Sequence, residues 1–300
     1  MRVAVTGSTG FIGAALVASL RTHGHEVVRV VRGPAPHGEA AVRWDPRAGT
    51  IDAAGLEGLD GVVHLAGEPI AAKRWSEEQK LRIIESRRQG TTLLAATLAG
   101  LDAKPSALVS ASGVDYYGDR GDEVLTEASG AGHGFLTEVC QVWEGATAPA
   151  ADAGVRVATT RTGIVLSLDG GALPRLVRLT RFGLGGRLGG GRQWWSWITL
   201  ADQLAAIEFL LLNDVAGPVN LTAPGPVTNA EFADTMGRVL HRPTFLPTPS
   251  FGPKLVLGEM AGALLFDSKR VEPAKLTAAG FSFGHAELEP ALRYVLGDEG

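Results

Sequence analysis

A single cysteine, Cys140, stands in 300 residues. It excludes an intramolecular disulfide and agrees with a reducing compartment. A large excess of charge of one sign is missing too. Twenty-eight basic and 32 acidic side chains leave a formal net charge of −4, which gives no reason to invoke nucleic acid or a membrane surface. The seven histidines show no metal-ligand spacing. His23 and His25 stand close together, but in a turn ahead of a strand, where a surface reading outweighs a metal site. A continuous apolar helix is also missing. Residues 3–20 carry no charge, yet three glycines with Thr6, Ser8 and Thr9 interrupt their first half, which argues against a membrane span. There is no basic n-region and no small-residue cleavage site. The expectation is a cytoplasmic protein without metal, nucleic-acid or membrane partners.

Glycine is abundant instead, at 40 residues. It clusters at 7–13, 130–134 and 183–191, so it marks loops. The first cluster is the most informative. A short apolar strand, Arg2–Thr6, runs into Gly7-Ser8-Thr9-Gly10-Phe11-Ile12-Gly13 and then into an Ala-rich apolar helix. Gly7 permits a tight turn, Gly10 lets the backbone approach a pyrophosphate, and Gly13 lets helix pack on strand. The free N–H groups and the positive end of the helix dipole then face the phosphates. The spacing predicts a dinucleotide cradle.

Strands and helices alternate beyond it. Strands are expected at 26–31, 42–44, 61–65, 107–110 and 156–161. Helices are expected at 12–22, 76–98 (with Ser76 as N-cap), 135–151, 173–182, up to 212, and 229–240. Asp202 is expected to cap the helix ending at 212. This order implies an α/β fold, a doubly wound parallel sheet of the Rossmann type. A Pro-rich hinge near 243–253 then leads into a smaller, mostly helical C-terminal region. The division reads as 1–245 for the dinucleotide-binding domain, with substrate-side elements from 166–245, and 246–297 for the tail.

TGSTGFIG, DGVVHLAG (60–67), Ser110-x-Ser112…Tyr116-Tyr117-Gly118 and Gly191-x-Gln193…Trp197-Ile198…Asp202 together resemble extended short-chain dehydrogenase/reductases. HLAGEPI, RWSEEQK…ESRRQGTT, GFLTEVCQVWE, GRQWWSWI and NLTAPGPVTNAEF…LHRPTFLPTP narrow the resemblance. They are similar to the atypical epimerase-family, or "SulA-family nucleoside-diphosphate-sugar epimerase", proteins with their C-terminal domain of unknown function. The resemblance spans essentially the whole chain.

It implies a Tyr-x-x-x-Lys pair after the Ser-bearing strand, with a Glu four residues beyond the Lys. If Glu144 is that Glu, the Lys place holds Cys140 and the Tyr place holds Leu136. Leucine has no proton to transfer, and cysteine supplies no fixed positive charge. The atypical group lacks this dyad. Ser112, Tyr116 and Tyr117 remain as candidate proton-handling hydroxyls. The Arg that pairs with a sugar diphosphate in nucleotide-sugar epimerases is replaced by Trp195. Indole offers one N–H where a diphosphate needs bidentate cations.

The remaining cofactor candidates follow from position. Val31 and Arg32 end the second strand, where NAD-binding members place an acid for the ribose hydroxyls. A cation there favours the 2′-phosphate of NADP over NAD. Leu65, Ala66 and Gly67 end a strand at the switch point. Arg87 belongs to the Ser-Arg signature on the long helix, and Gly163 and Val165 leave the strand that passes the nicotinamide. Arg192, Gln193 and Trp195 are the substrate-pocket candidates. The leading expectation is NADP(H) binding with oxidoreductase activity on an unidentified small substrate. A NADP(H)-binding regulatory or scaffold protein without turnover is the alternative, and a true nucleotide-sugar epimerase is less favoured.

Overall fold

The computed structural model describes residues 1–33 and 39–297. Its centre is an eight-stranded sheet. The strands are β1 (Arg2–Thr6), β2 (Glu26–Val31), β3 (Ala41–Asp45), β4 (Thr50–Ile51), β5 (Gly61–His64), β6 (Ala107–Gly113), β8 (Arg156–Thr162) and β12 (Gly217–Leu221). They lie in the order β12-β8-β6-β5-β1-β2-β3-β4. All pairings are parallel except β3 with β4. The chain runs outward from β1 through β2 and β3, then returns to the other side of β1 with β5. That reversal leaves a crevice at the carboxyl ends of β1 and β5. This is the doubly wound α/β sheet expected from the sequence.

The sheet is covered on both faces, which is why its strands read as near-continuous apolar runs. Val3 and Val5 point to one face, against helix α1 (Phe11–Thr22) and helix α6 (Leu200–Leu212). Ala4, Val28, Val30 and Val62 point to the other, against α2 (Glu77–Gly100) and α4 (Ala148–Asp152). Ser76 caps α2 by accepting the Gln79 N–H at 3.2 Å, with Glu77 and Glu78 in the first turn, where they complement the helix dipole. The helix expected over 135–151 divides into α3 (Phe135–Gly145) and α4, which has Pro149 in its first turn. Proline has no N–H to continue a helix, so it starts a new one.

A smaller lobe follows β8. It contains β9 (Ile164–Leu166), α5 (Leu173–Arg181), β10 (Trp194–Trp195), β11 (Trp197–Thr199), β13 (Val227–Thr228) and α7 (Asn229–Val239). The tail adds α8 (Phe251–Leu257), α9 (Glu259–Ala261), β14 (Arg270–Val271), α10 (Ala274–Ala278) and α11 (Leu288–Leu296). It is woven into the rest of the fold. β14 pairs in parallel with β7 (Val124–Leu125). The Leu288, Ala291 and Leu292 side chains of α11 join Phe232 and Met236 of α7 in one core. Asp202 does not cap α6. Thr199 does, accepting the Asp202 N–H at 3.1 Å, while the Asp202 carboxylate accepts the N–H groups of Gly284 and His285 and clips the tail down. Among the described residues, no helix is long and apolar enough to cross a membrane.

Candidate functional site

The glycine loop sits at the crevice. Gly7 has φ +65°, and a Cβ there would lie 2.9 Å from the Leu65 carbonyl carbon. A Cβ on Gly13 would lie 2.2 Å from the Gly7 carbonyl oxygen. Both glycines are therefore required by the fold itself. Gly10 is different. It is exposed, and a Cβ there would meet only the Gly7 oxygen, at 3.3 Å. Its backbone is extended and forms the N-cap of α1 without a side-chain cap. No side-chain hydrogen bond from the N-cap satisfies the first N–H groups of α1. This cradle has the shape and the polarity that a diphosphate needs. Thr9 is exposed beside Gly10, Ser8 is buried, and Phe11 packs against Gly170 and Gly171.

Arg32 is exposed just past β2, with Val31 half-buried before it. Three residues before Arg32, within β2, Arg29 donates to the Ser8 carbonyl at 2.8 Å and pairs with Glu39, which also binds Arg21. Those two guanidinium groups, Arg21 foremost, hold the Glu39 carboxyl down at about 2.

At the end of β5, Thr6 and His64 form a buried polar post. Thr6 Oγ1 accepts the N–H groups of Leu65 and Ala66, and His64 bridges Thr6 and Thr91 at 2.8 and 2.9 Å. Burial, with the Arg87 charge behind it, pushes His64 down to about 3, so the ring is neutral. Thr6 was not singled out in the sequence; a hydroxyl at the last position of β1 was its only signal. Gly67 is exposed, and Arg87 lies beneath it. Arg87 is 4% exposed, donates from Nη1 to the Glu68 and Ile83 carbonyls, and stacks on Trp143. Its neighbours Arg82 and Arg88 pair with Glu78 and Glu85 on the solvent face.

At the end of β6, the hydroxyls that the sequence brought forward are not equivalent. Ser112 Oγ donates to Glu144 at 2.7 Å, and Glu144 holds Arg161 through two bonds of 2.9 and 2.8 Å. Tyr117 is fully buried, donates to Asn220 at 2.7 Å and accepts from Arg161 at 3.0 Å. Burial opposes the charge on Arg161, but the Glu144 carboxylate outweighs it and the net shift is upward. Tyr116 is half-buried, with the Arg161 guanidinium 3.4 Å above its ring. Leu136 sits in an apolar cluster with Ile83 and Val139, flanked by Ala263 and Leu264 of the tail. Cys140 is buried, and that burial pushes its thiol up to about 12.

The substrate-side candidates are scattered. Trp195 lies in the small-lobe core, edge-on to Phe232 at 5.2 Å. Gln193 donates to the Leu265 carbonyl at 3.1 Å, and Arg192 is exposed. Of the cofactor candidates, Gly163 is pressed against Ser196, whose oxygen would be 2.5 Å from an added Cβ, and Val165 belongs to the sheet core. One pair near the β6 loop was not foreseen. Lys269 of the tail, itself buried, binds Asp115 at 2.9 Å. Two residues this far apart in sequence carry no local signal. His23 and His25 both bind Glu208, and among the described residues no cluster is suited to a metal ion.

Residues 3–222 match the NAD dependent epimerase/dehydratase family. The chain belongs to that family. Residues 248–295 match a second family, described as a domain of unknown function, DUF1731. "Epimerase family protein Mb2239" of Mycobacterium bovis is 45% identical over 294 residues, which is 98% of this chain and 97% of that protein. The crystal structure of human epimerase family protein SDR39U1 (isoform 2) with NADPH is 35% identical, with a TM-score of 0.91, over 99% of this chain and 100% of that one. The crystal structure of a Corynebacterium glutamicum nucleoside-diphosphate sugar epimerase is 38% identical, with a TM-score of 0.82, over all of this chain and 59% of that one. The dehydrogenase-like core and the tail are thus both shared with epimerase-family proteins.

Proposed function

We propose that this epimerase-family chain is an atypical short-chain dehydrogenase/reductase that binds NADP(H) and acts as an oxidoreductase on a small substrate. The helix start at Gly10, exposed and without a side-chain cap, is the observation that carries the reading. The NADPH in the SDR39U1 structure supports it. The loop from Gly7 to Gly13 holds the diphosphate, and Arg32 pairs with the 2′-phosphate beside the Val31 backbone. Leu65, Ala66 and Gly67 form the wall that the ribose passes, while Gly163 and Val165 set the backbone at the nicotinamide end. When bound, the nicotinamide supplies the hydride. Of the three candidate hydroxyls, Tyr116 is the one neither buried nor tied to Glu144, and the Arg161 guanidinium lies over its ring face and leaves its hydroxyl free of that cation. Arg192 is exposed and reaches for the substrate, while Gln193, tied to the Leu265 carbonyl, holds the loop that carries it. The partner is a small molecule in the cytoplasm, with no nucleic acid and no membrane.

A second reading has its own support. Leu136 and Cys140 leave the usual proton-transfer pair absent, and a thiol at about 12 is inert at neutral pH. A NADP(H)-binding regulator without turnover fits that. Calorimetric titration with NADPH and NADH, on wild type and Arg32→Ala, tests the binding. One charged hydrogen bond is worth about 1.5–3 kcal/mol, so NADPH should lose about 10- to 150-fold in the variant while NADH is unchanged. Equal wild-type affinities for the two cofactors refute the reading. Turnover of NADPH against a panel of aldehydes and ketones then separates enzyme from regulator.

A further inference from the structure

Arg87 is the most anomalous charge in the molecule. It is 4% exposed, and among the described residues no carboxylate pairs with it. Two backbone carbonyls and the Trp143 face hold the guanidinium, whose centre is 4.5 Å from the ring centroid. Nε is buried without a partner. A buried cation is costly unless an anion compensates it, and carbonyl dipoles compensate only in part. The fold nonetheless spends a long helix on placing this one.

The guanidinium has a window. Gly67 lies directly over it and is exposed. A Cβ on Gly67 would stand 3.1 Å from Cζ, 3.3 Å from Nη1 and 3.4 Å from Nη2. Any side chain at 67 would cover the cation. Glycine is not needed there for backbone freedom, because Gly67 is absent from the positive-φ glycines. What the missing side chain provides is access. The window opens at the end of β5, one strand from the glycine loop.

We propose that Arg87, seen through Gly67, is an oxyanion-binding site on the floor of the dinucleotide crevice. Its ligand is a phosphate or carboxylate group, supplied either by the dinucleotide or by a second, acidic small molecule bound beside it. Nη2 lies beside the window, and among the described residues it donates to no group, so its N–H groups are the ones offered to the oxyanion. Trp143 fixes the plane of the fork, so little rotamer freedom is lost on binding. This rests on the dinucleotide reading for its location but not for its chemistry.

The test uses the full-length protein as wild type, Arg87→Met and Gly67→Ala. Methionine fills the space against Trp143 without charge; alanine keeps the charge but covers it, since its Cβ would stand 3.1 Å from Cζ and press the guanidinium deeper. Circular dichroism and melting check folding. NADPH binding is read by nicotinamide fluorescence. Malonate and inorganic phosphate are titrated by calorimetry into each protein, free and NADPH-saturated. A fall of at least tenfold in NADPH affinity in Arg87→Met supports the site with the dinucleotide as source. Unchanged NADPH affinity, with malonate or phosphate binding to saturated wild type at least tenfold tighter than to the variants, supports it with a second ligand as source. Unchanged NADPH affinity with no difference in either oxyanion overturns it. If wild type does not bind NADPH, the crevice reading fails on its own. Phosphate binding to the free proteins then decides Arg87: tighter in wild type upholds the site, and equal binding removes it. If Arg87→Met does not fold, Gly67→Ala is judged by the malonate and phosphate titrations on the same criteria.

Discussion

The glycine loop makes a prediction that separates fold from ligand binding within one motif. Gly10 and Gly13 are three residues apart and do different things. At Gly13 an added Cβ falls 2.2 Å from the Gly7 oxygen, far inside the roughly 3.5 Å separation of non-bonded heavy atoms. Gly13→Ala must push α1 off β1. Overpacking of that kind costs about 1–3 kcal/mol, or a drop of about 2–12 °C in melting temperature for a chain of this size. At Gly10 the backbone is extended (φ −78°, ψ 173°), a region that β-branched residues adopt readily, and the nearest atom to a Cβ is 3.3 Å away. Gly10→Val should cost no more than about 1 kcal/mol when ligand-free, the effect of a poorer N-cap at an exposed site. Its branched side chain would instead fill the space in front of the α1 N–H groups. Losing two charged hydrogen bonds to a diphosphate costs about 3–6 kcal/mol, which is roughly 10²- to 10⁴-fold in affinity. Thermal melting and nicotinamide fluorescence on both variants give the answer. A folded Gly10→Val protein that binds NADPH within threefold of wild type would falsify the placement of the phosphates.

Three further outcomes follow from buried charge and polar clips. Glu144→Gln leaves Arg161, 3% exposed, without its carboxylate; breaking one partner of a buried pair costs about 3–5 kcal/mol, and urea denaturation should show the loss, whereas a change under 1 kcal/mol would mean that Tyr117 and Tyr116 suffice to hold the cation. His64 is held at about 3 in the folded protein against 6.5 as its ordinary value. The unfolded chain therefore binds one more proton between those values, and stability falls on acidification below about pH 6.5 by up to about 1.4 kcal/mol per pH unit. His64→Gln should flatten that slope between pH 6 and 5, and parallel slopes would rule His64 out as its source. Asp202→Ala removes the acceptor for the Gly284 and His285 N–H groups; limited proteolysis should cut near residue 284 sooner than in wild type, and an unchanged digestion pattern would count against the clip.

Much of the sheet was legible because strands buried on both faces must be apolar throughout, and Arg2–Thr6 and Glu26–Val31 read off with their observed bounds. Ser76 was legible because a cap is local chemistry: a hydroxyl, two acids and then a helix. Pro149 was visible but underweighted; its missing N–H divides the helix expected over 135–151. The Val124–Leu125 pairing with Arg270–Val271 was not legible. Two-residue strands have no periodicity, and their register comes from the tail's other anchors. The same limit applies to Trp195. A glycine-rich neighbourhood suggested an open pocket wall, but the fold turns the indole inward onto Phe232. Sequence gives residue type and local spacing; it does not give the direction in which a loop side chain points.

The chemistry of the β6 end follows from how its charges are neutralised. Arg161 is matched by Glu144, and Lys269 by Asp115. Ser112 and Tyr117 complete the first of these pairs, so their hydroxyls are already committed to holding a cation in place. Giving up the Ser112 proton would break its bond to the carboxylate that balances Arg161, which raises the barrier of the step it was meant to lower. The Tyr117 proton is held by Asn220, and the side chain is fully buried, out of a substrate's reach. Tyr116 shares the same guanidinium through its ring face alone. It can move its proton without disturbing the Arg161–Glu144 pair. The network that looked like a set of three interchangeable hydroxyls is therefore a scaffold of two around a candidate of one.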